Sequence, residues 1–140
     1  MSCIFCAIVA GKAPAAVVWE DEETLAFMDI NPVSQGHVLV VPKEHYRNLY
    51  DIDPESAAAV MRTTVRVARA VREALRPDGM NLFQSNERAA FQSVFHFHVH
   101  LIPRWFGDEL RLPPQVQRTD FSVLQEIAAR IRERLSDDFS

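Results

Sequence analysis

The sequence has no long apolar run, no excess of basic residues and only two cysteines among its 140 residues. None of its apolar stretches approaches the roughly 20 residues that span a bilayer, so no contact with a membrane is expected. The N-terminus lacks the basic start and the apolar core of a secretory signal, which favours a cytoplasmic location. A net charge of −4 gives no broad basic field, so binding of long nucleic acid is not expected either.

The composition that remains is typical of a compact globular protein, with 48% hydrophobic and 24% charged residues. A chain of this length fits a single domain, 1–140. Short β-branched and alternating apolar stretches predict five strands, at 16–19, 24–28, 37–42, 81–84 and 95–102. The first two strands are predicted to form a hairpin, so we expect an antiparallel sheet and the fold class α+β.

A long helix is predicted between the third and the fourth strand. Asp53 can cap it, Pro54 suits its first turn, and Pro77-Asp78-Gly79 ends it. Its expected apolar positions recur at steps of three and four residues: Ala57, Val60, Met61, Thr64, Val65, Ala68, Val71 and Leu75. We interpret the arginines on the opposite face as solvated, and a C-terminal helix is predicted over 121–134.

Three histidines alternate with apolar residues in the last predicted strand. His96, His98 and His100 are expected on one face of the strand, and the residues between them on the other. Burying imidazoles costs free energy, so three in a row indicate a function. Three hypotheses stay open at this point: one metal ion held by all three, a phosphate site with an imidazole nucleophile, or a split arrangement that serves both.

The stretch His96-Phe97-His98-Val99-His100-Leu101-Ile102 resembles the His-x-His-x-His signature of the histidine triad (HIT) nucleotide-binding family. The likeness extends over about residues 3–104, and it includes 27–32, 36–43 and 92–94. The chain is more similar to the phosphoramidase-type (Hint/PKCI-like) branch than to the uridylyltransferases. The resemblance implies a five-stranded antiparallel sheet with one long central helix and a C-terminal helix, assembled as a homodimer.

The same resemblance implies a hydrolase of purine nucleotide derivatives, with phosphoramidates and adenylates as the leading substrates. His98 would attack the α-phosphorus to give a nucleotidyl-histidine that water cleaves, so two easier displacements replace a hard one. His100, Ser93 and Gln92 would stabilise the charge that develops on the phosphate oxygens. His37 would orient the catalytic imidazoles, although a lone histidine at a strand end is commonly structural.

For the purine and the ribose, the resemblance implies an apolar pocket and a carboxylate. The pocket would be formed by Phe5, Ile8, Phe27 and Ile30, which would otherwise be interpreted as ordinary core residues. Asp29 would bind the ribose hydroxyls, although its position before Asn31-Pro32 is also typical of a turn residue.

Cys3 and Cys6 have the Cys-x-x-Cys spacing of a metal knuckle. Two thiols in a reducing compartment favour a metal over a disulfide framework, and buried thiols or a redox pair are the alternatives. The resemblance adds His45 and His96, which with the cysteines give the four ligands of a structural zinc site.

The chain departs from the family pattern just before the triad. Relatives commonly have Asn-x-Gly-x-x-Ala-Gly-Gln where this chain has residues 85–92, so Glu87 and Phe91 replace both glycines. Because glycine favours positive φ, we expect a differently shaped loop over the phosphates, with Asn86 or Ser85 as possible phosphate contacts. The extension over 105–140, which starts at Trp105, has no clear counterpart in the pattern.

Three other functions share these residues. A dinucleoside polyphosphate hydrolase would use the same site with another leaving group. A nucleotide-binding or partner-interaction module would keep the pocket with little turnover. A metal-dependent hydrolase would place all three histidines on one catalytic ion.

Overall fold

A computed structural model of the protein describes residues 2–111 and 119–138. The elements follow in chain order: α1 (Ile4–Val9), β1 (Val17–Glu20), β2 (Thr24–Met28), β3 (Val38–Pro42), α2 (Pro54–Leu75), β4 (Gly79–Phe83), a 3₁₀ turn (Arg88–Ala90), β5 (Val99–Arg104) and α3 (Phe121–Asp138). The chain forms two compact units, Met1–Glu109 and Leu110–Ser140. The first contains the sheet and the second contains α3.

The sheet has five strands in the order β1-β2-β3-β5-β4, and every neighbouring pair is antiparallel. This arrangement confirms the α+β class and the five-stranded antiparallel sheet with a long helix that the sequence predicts. β3 and β5 are the inner strands next to each other, with Leu39 opposite His100 and Val40 opposite Val99. The triad strand therefore lies inside the sheet, not at its edge.

The two faces of the sheet carry different cores, because side chains alternate along each strand. Val38 and Val40 point toward α2, in a cluster that includes Phe97, Val99 and Leu101. Leu39 and Val41 point to the other face, in a second cluster that holds side chains from α1 and β2: Phe5, Leu25 and Phe27. His100 pairs with Leu39 across the ladder and therefore lies on this second face.

Helix α2 has the bounds that the sequence predicts, with Asp53 accepting a hydrogen bond from Ser56 N–H at 3.1 Å. Its buried face is rotated relative to the prediction: Met61 and Val65 are 46% and 41% exposed. The buried positions are Ala59, Val60, Thr63, Thr64, Val67 and Val71. Two threonines can replace apolar residues there because their hydroxyls have partners, Thr24 Oγ1 at 2.6 Å for Thr63 and the Val60 carbonyl at 2.8 Å for Thr64.

The fifth strand is shorter than predicted, since it begins at Val99 and not at residue 95. If the pairing of β3 with β5 continued in the same register, Phe97 would lie opposite Pro42. Instead, Phe97 N–H donates to the Tyr46 carbonyl at 2.7 Å, and the Pro42 carbonyl lies 2.8 Å from His96 Nε2. Loop and side-chain partners thus replace the ladder, so the prediction that all three histidines share one strand is wrong for His96 and His98.

Two further differences concern the termini. The six-residue helix α1, capped by the Cys3 sulfur, is not indicated by the sequence pattern. Helix α3 extends to Asp138 instead of 134. Of the extension, Leu112, Pro113 and Pro114 lie outside the described residues. No helix in the described part of the chain is long and apolar enough to cross a membrane.

Candidate functional site

Three of the four histidines in and around β5 are almost completely buried. His96, His98 and His37 have 0%, 5% and 3% of their surface exposed, and His100 is half-buried within β5. The rings of His98 and His100 contact each other, with centroids 4.8 Å apart. His96 turns away from this pair toward α1, so the triad is divided between two places.

His98 is fixed by its own neighbour in the chain. Its Nδ1 lies 2.7 Å from the His96 carbonyl oxygen. A carbonyl only accepts, so Nδ1 carries the proton and donates it. In the neutral ring Nε2 is then left with an unshared electron pair, which is the form that a nucleophilic imidazole needs.

His37 and His100 form a directed pair. His37 Nδ1 accepts from Val33 N–H at 3.2 Å, so a neutral His37 carries its proton on Nε2. That nitrogen lies 2.9 Å from His100 Nδ1 and 3.5 Å from an oxygen of Asp29. His100 therefore accepts at Nδ1 and presents its own proton at Nε2.

Burial keeps these imidazoles uncharged. It lowers the pKa of His98 below the ordinary value of 6.5 and lowers the pKa of His100 to about 4, and charge on the neighbouring histidines adds to the shift at His100. Burial also lowers the pKa of His37, against the opposing charge of Asp29. Near neutral pH the site therefore offers an unshared pair at His98 and a donor at His100.

An apolar wall borders the nucleophile. Phe5 packs edge-on against His98 with ring centroids 5.1 Å apart, and against Phe27 at 5.3 Å. Ile8 packs on the same cluster. Ile30 lies apart from it and is 85% exposed. The structure thus brings three of the four predicted pocket residues together, and it leaves the fourth at the surface.

Asp29 has the turn geometry that its sequence context suggests, and it also faces the histidines. One carboxylate oxygen accepts from Asn31 N–H at 2.8 Å, while the other is the atom near His37. The turn therefore holds the second oxygen beside the His37–His100 pair.

Several polar side chains of the loop before the triad already have hydrogen-bond partners in the protein. The Gln92 amide is buried, and its Nε2 donates to the Arg47 and Val94 carbonyls at 2.7 and 3.1 Å. The Asn86 side chain bonds to Gln84 and to Leu49 N–H. Ser93 is exposed. Of the four predicted phosphate contacts in this segment, the hydroxyls of Ser85 and Ser93 have no partner among the described hydrogen bonds, and Ser93 is the more exposed of the two.

The two positions that lack the family's glycines keep a backbone that suits glycine. Glu87 has φ 73° and Phe91 has φ 68°. Positive φ is uncommon for residues with a side chain. Losing glycine has therefore not removed the left-handed conformation from the loop, although a reshaped loop is expected from the sequence.

The two cysteines meet His45 and His96 in one cluster of possible metal ligands. Cys3 Sγ lies 3.4 Å and Cys6 Sγ 3.6 Å from His96 Nδ1, which is itself 3.1 Å from His45 Nδ1. Tetrahedral zinc, with bonds of about 2.3 Å to sulfur and about 2.0 Å to nitrogen, separates its ligand atoms by roughly 3.3–3.8 Å. The four donor atoms therefore fit zinc.

The orientation of His96 agrees with this fit. Its Nε2 donates to the Pro42 carbonyl at 2.8 Å, which leaves the electron pair of Nδ1 facing the thiols. A hydrogen bond from the far nitrogen to a carbonyl is the usual way in which proteins orient a metal-ligating histidine. Burial lowers the pKa of His96 to about 4, which keeps that electron pair available.

A second cluster of possible ligands, formed by Asp29, His37 and His100, fits a metal less well. A metal on His37 Nε2 would require the ring proton on Nδ1, but Nδ1 already accepts from Val33 N–H. Among the described residues, neither cluster contains more than one triad histidine. The hypothesis of one catalytic ion on all three histidines is not supported by this geometry.

Sequence reasoning missed several groups that shape the site. Phe83, opposite His100 in β4, packs edge-on against that ring with centroids 5.5 Å apart. The Val33 amide and the Pro42 carbonyl fix two tautomers through the backbone, for which the residue type carries no signal. Only the strand register could have indicated Phe83.

Comparison with known proteins identifies the family of the chain. A family model for the HIT domain matches residues 10–107. Among curated relatives, "Protein hit" of Bacillus subtilis is 42% identical over 138 residues, with 96% of this chain and 95% of that protein covered. Adenosine 5'-monophosphoramidase hnt1 of Schizosaccharomyces pombe is 42% identical, covering 74% and 75%. Adenylylsulfatase HINT3 of Arabidopsis thaliana is 37% identical, covering 78% and 58%.

Solved structures show the same fold. A HIT family protein from Bacillus anthracis superposes with a TM-score of 0.89 at 37% identity, covering 94% of this chain and 96% of that one. A zinc-bound histidine triad family protein from Mycobacterium smegmatis has a TM-score of 0.76 at 47% identity, covering 84% and 86%.

Proposed function

Because this chain belongs to the HIT domain family, we propose that it hydrolyses purine nucleotide derivatives at the α-phosphate through a covalent intermediate on His98. The observation that carries the proposal is the 2.7 Å hydrogen bond from His98 Nδ1 to the His96 carbonyl. This bond commits the proton to Nδ1 and leaves Nε2 as the nucleophile. Relatives named for AMP phosphoramidate and adenylylsulfate hydrolysis support nucleotide derivatives as substrates.

The reaction has two displacements at phosphorus. His98 Nε2 donates its electron pair to the α-phosphorus, and the bond from phosphorus to the leaving group breaks. Water then attacks the same phosphorus, the P–N bond breaks, and its electron pair returns to His98. The hydroxyl of water ends on the nucleoside monophosphate, and its proton balances the leaving group.

The remaining polar groups divide into phosphate contacts and positioning residues. His100, which presents a proton at Nε2, and the exposed Ser93 are the proposed donors to the phosphate oxygens. His37 orients His100 through their 2.9 Å contact. Gln92 donates to the Arg47 carbonyl and Asn86 accepts from Leu49 N–H, so we propose that these two amides tie the loop that carries Ser93 to the segment after β3.

The purine and the ribose are assigned to the wall beside the nucleophile. Phe5, Ile8 and Phe27 offer an apolar surface, and we propose that Ile30, which is exposed, packs on the base when a nucleotide binds. The Asp29 oxygen that faces His37 is proposed to bind the ribose hydroxyls, with the turn bond to Asn31 holding it in place.

Zinc is proposed at Cys3, Cys6, His45 and His96. Bound there, it would contribute to the free energy of folding and tie α1 to the triad segment. His96 offers Nδ1 to the metal cluster and its carbonyl to His98, and α1 brings Phe5 against the His98 ring. His96 and the short helix α1 thus connect the metal cluster to the nucleophile.

We also propose that the chain is a single domain and that it forms a homodimer in the cytoplasm. The edge strand β4 has no bulge and exposes apolar residues, with Leu82 48% exposed. The opposite edge strand β1 is interrupted by a register shift between Val17 and Trp19. Regular, apolar edges favour pairing with another strand, whereas bulges prevent it.

Replacing the nucleophile tests the reaction. His98→Asn should lose at least about 10³-fold in kcat on adenosine 5'-phosphoramidate, because the covalent step needs a ring nitrogen. Rapid quench and mass spectrometry of the wild type should find a nucleotidyl group on the peptide that contains His98. His98→Gly with added imidazole is the matched control and should recover part of the turnover.

A His98→Asn variant as fast as its parent would rule out this mechanism. Diadenosine polyphosphate used in preference to the phosphoramidate would favour the dinucleoside polyphosphate hydrolase. Tight AMP binding without turnover of either compound would favour the binding module.

Elemental analysis tests the metal. The purified protein should contain about one zinc per chain, and Cys6→Ser should bind zinc at least about 100-fold more weakly and melt at a lower temperature. His37→Gln, which changes the second cluster only, should keep its zinc. Wild-type protein free of zinc after refolding with the metal present would contradict the site.

Sedimentation tests the assembly. We expect a dimer at micromolar concentration that Leu82→Lys converts to a monomer, because a charge on β4 opposes edge pairing. Val18→Lys on the bulged edge strand is the matched control and should remain dimeric. A wild-type monomer, or equal effects of the two variants, would contradict pairing through β4.

A further inference from the structure

Glu87 has a backbone conformation that is ordinarily reserved for glycine. Its φ of 73° and ψ of 165° lie in a region that residues with a Cβ almost never occupy. The residue also closes the loop: its N–H donates to Gln92 Oε1 at 2.7 Å, and its carbonyl accepts from the N–H groups of Ala90 and Gln92 at 3.1 Å. Such a conformation persists only where the surroundings hold it.

The side chain of Glu87 is held from two directions. Arg47 donates two parallel hydrogen bonds, from Nε at 2.8 Å and from a terminal nitrogen at 2.7 Å. Asn48, which is buried, donates to the same carboxylate from Nδ2 and fixes its own oxygen by accepting from Tyr50 N–H at 3.0 Å. A bidentate arginine with a second anchor has far more directional control than a single exposed ion pair.

Arg47 also reaches the other end of the loop. Its guanidinium carbon lies 4.4 Å from the centroid of the Phe95 ring, and its carbonyl accepts from Gln92 Nε2 at 2.7 Å. One residue therefore touches positions 87, 92 and 95, directly before His96. The stretch between these contacts contains Ser93, the proposed phosphate contact.

We propose that Arg47, Asn48 and Glu87 form a clasp that fixes the loop before the triad and so sets the position of Ser93 relative to His98. All three are positioning residues, because they act through the loop and not on the substrate. The proposal rests on the proposed function for its effect on turnover, but the hold on the loop itself can be measured without activity.

The competing interpretation is an ordinary surface ion pair. Arg47 and Glu87 are 53% and 43% exposed, and exposed pairs commonly contribute little. The strained backbone at Glu87 distinguishes the clasp from an ordinary surface ion pair. If the clasp holds a strained residue, then removing Arg47 is harmful only while position 87 carries a side chain, and glycine there makes the clasp unnecessary.

Four variants of the full chain test this: Arg47→Met, Glu87→Ala, Glu87→Gly, and Arg47→Met combined with Glu87→Gly. The first two should lose about 10- to 100-fold in kcat/KM on adenosine 5'-phosphoramidate, as expected for a displaced contact. Glu87→Gly should stay within about threefold of the wild type, and adding Arg47→Met to it should cost nothing further. Arg130→Met, which breaks an Arg–Glu pair in α3, is the matched control and should match the wild type.

Trypsin cleavage after Arg88 provides the readout that is independent of activity. Arg88 is exposed within the loop, so cleavage follows the population of the open loop. Arg47→Met and Glu87→Ala should be cut faster than the wild type at unchanged overall fold, and Glu87→Gly should not.

Wild-type kinetics and cleavage in Arg47→Met would overturn the clasp, and so would a Glu87→Gly variant as impaired as Glu87→Ala. If no variant, including the wild type, turns over the phosphoramidate, the proposed function fails while cleavage at Arg88 still decides the clasp. Arg47→Lys covers the case in which Arg47→Met does not fold. It keeps the charge, loses the bidentate fork, and should be cut faster as well.

Discussion

The hydrogen bond from His98 Nδ1 to the His96 carbonyl is the interaction on which the rest of the site depends. A neutral imidazole is a nucleophile only at the nitrogen without a proton, and here the backbone decides which nitrogen that is. Since the acceptor belongs to the residue two positions earlier, the choice is built into the local chain path. Along that path β5 begins only at Val99, so His96 and His98 precede the strand.

The same path divides the triad into three separate tasks. His96 points toward the thiols, His98 keeps a free electron pair, and His100 accepts a hydrogen bond from His37 at Nδ1 and presents its own proton at Nε2. Burial is the common cause of their neutrality, because an enclosed imidazolium would lose its hydration, and at His98 and His100 this loss outweighs the attraction of the Asp29 carboxylate. The sheet supplies that burial: its inner strands are packed on both faces, by α2 on one and by α1 on the other.

Much of the fold follows from sequence patterns that have a single structural meaning. Asp53, Pro54 and the Pro77-Asp78-Gly79 stop determine the bounds of α2, and the continuous apolar run of β3 matches its burial on both faces.

The predictions that proved wrong concern places where tertiary partners replace local preference. Phe97 bonds to Tyr46 and not to a strand, and α2 buries Thr63, whose hydroxyl contacts Thr24, while Met61 and Val65 are exposed. The grouping of Cys3, Cys6, His45 and His96 came from family resemblance, since spacing alone indicates only the two cysteines. The sequence shows that Glu87 replaces a glycine, but it does not indicate the contacts of Glu87 with Arg47 and Asn48, which lie about 40 positions away.

Nucleophilic attack by His98 Nε2 requires a neutral ring with its proton on Nδ1. Long-range ¹H–¹⁵N correlation spectra of the imidazole at neutral pH report the protonation of each ring nitrogen directly. We expect a protonated Nδ1 and an unprotonated Nε2 for His98 in the nucleotide-free protein. A His98 ring protonated at Nε2, or at both nitrogens, would contradict the assignment of the nucleophile.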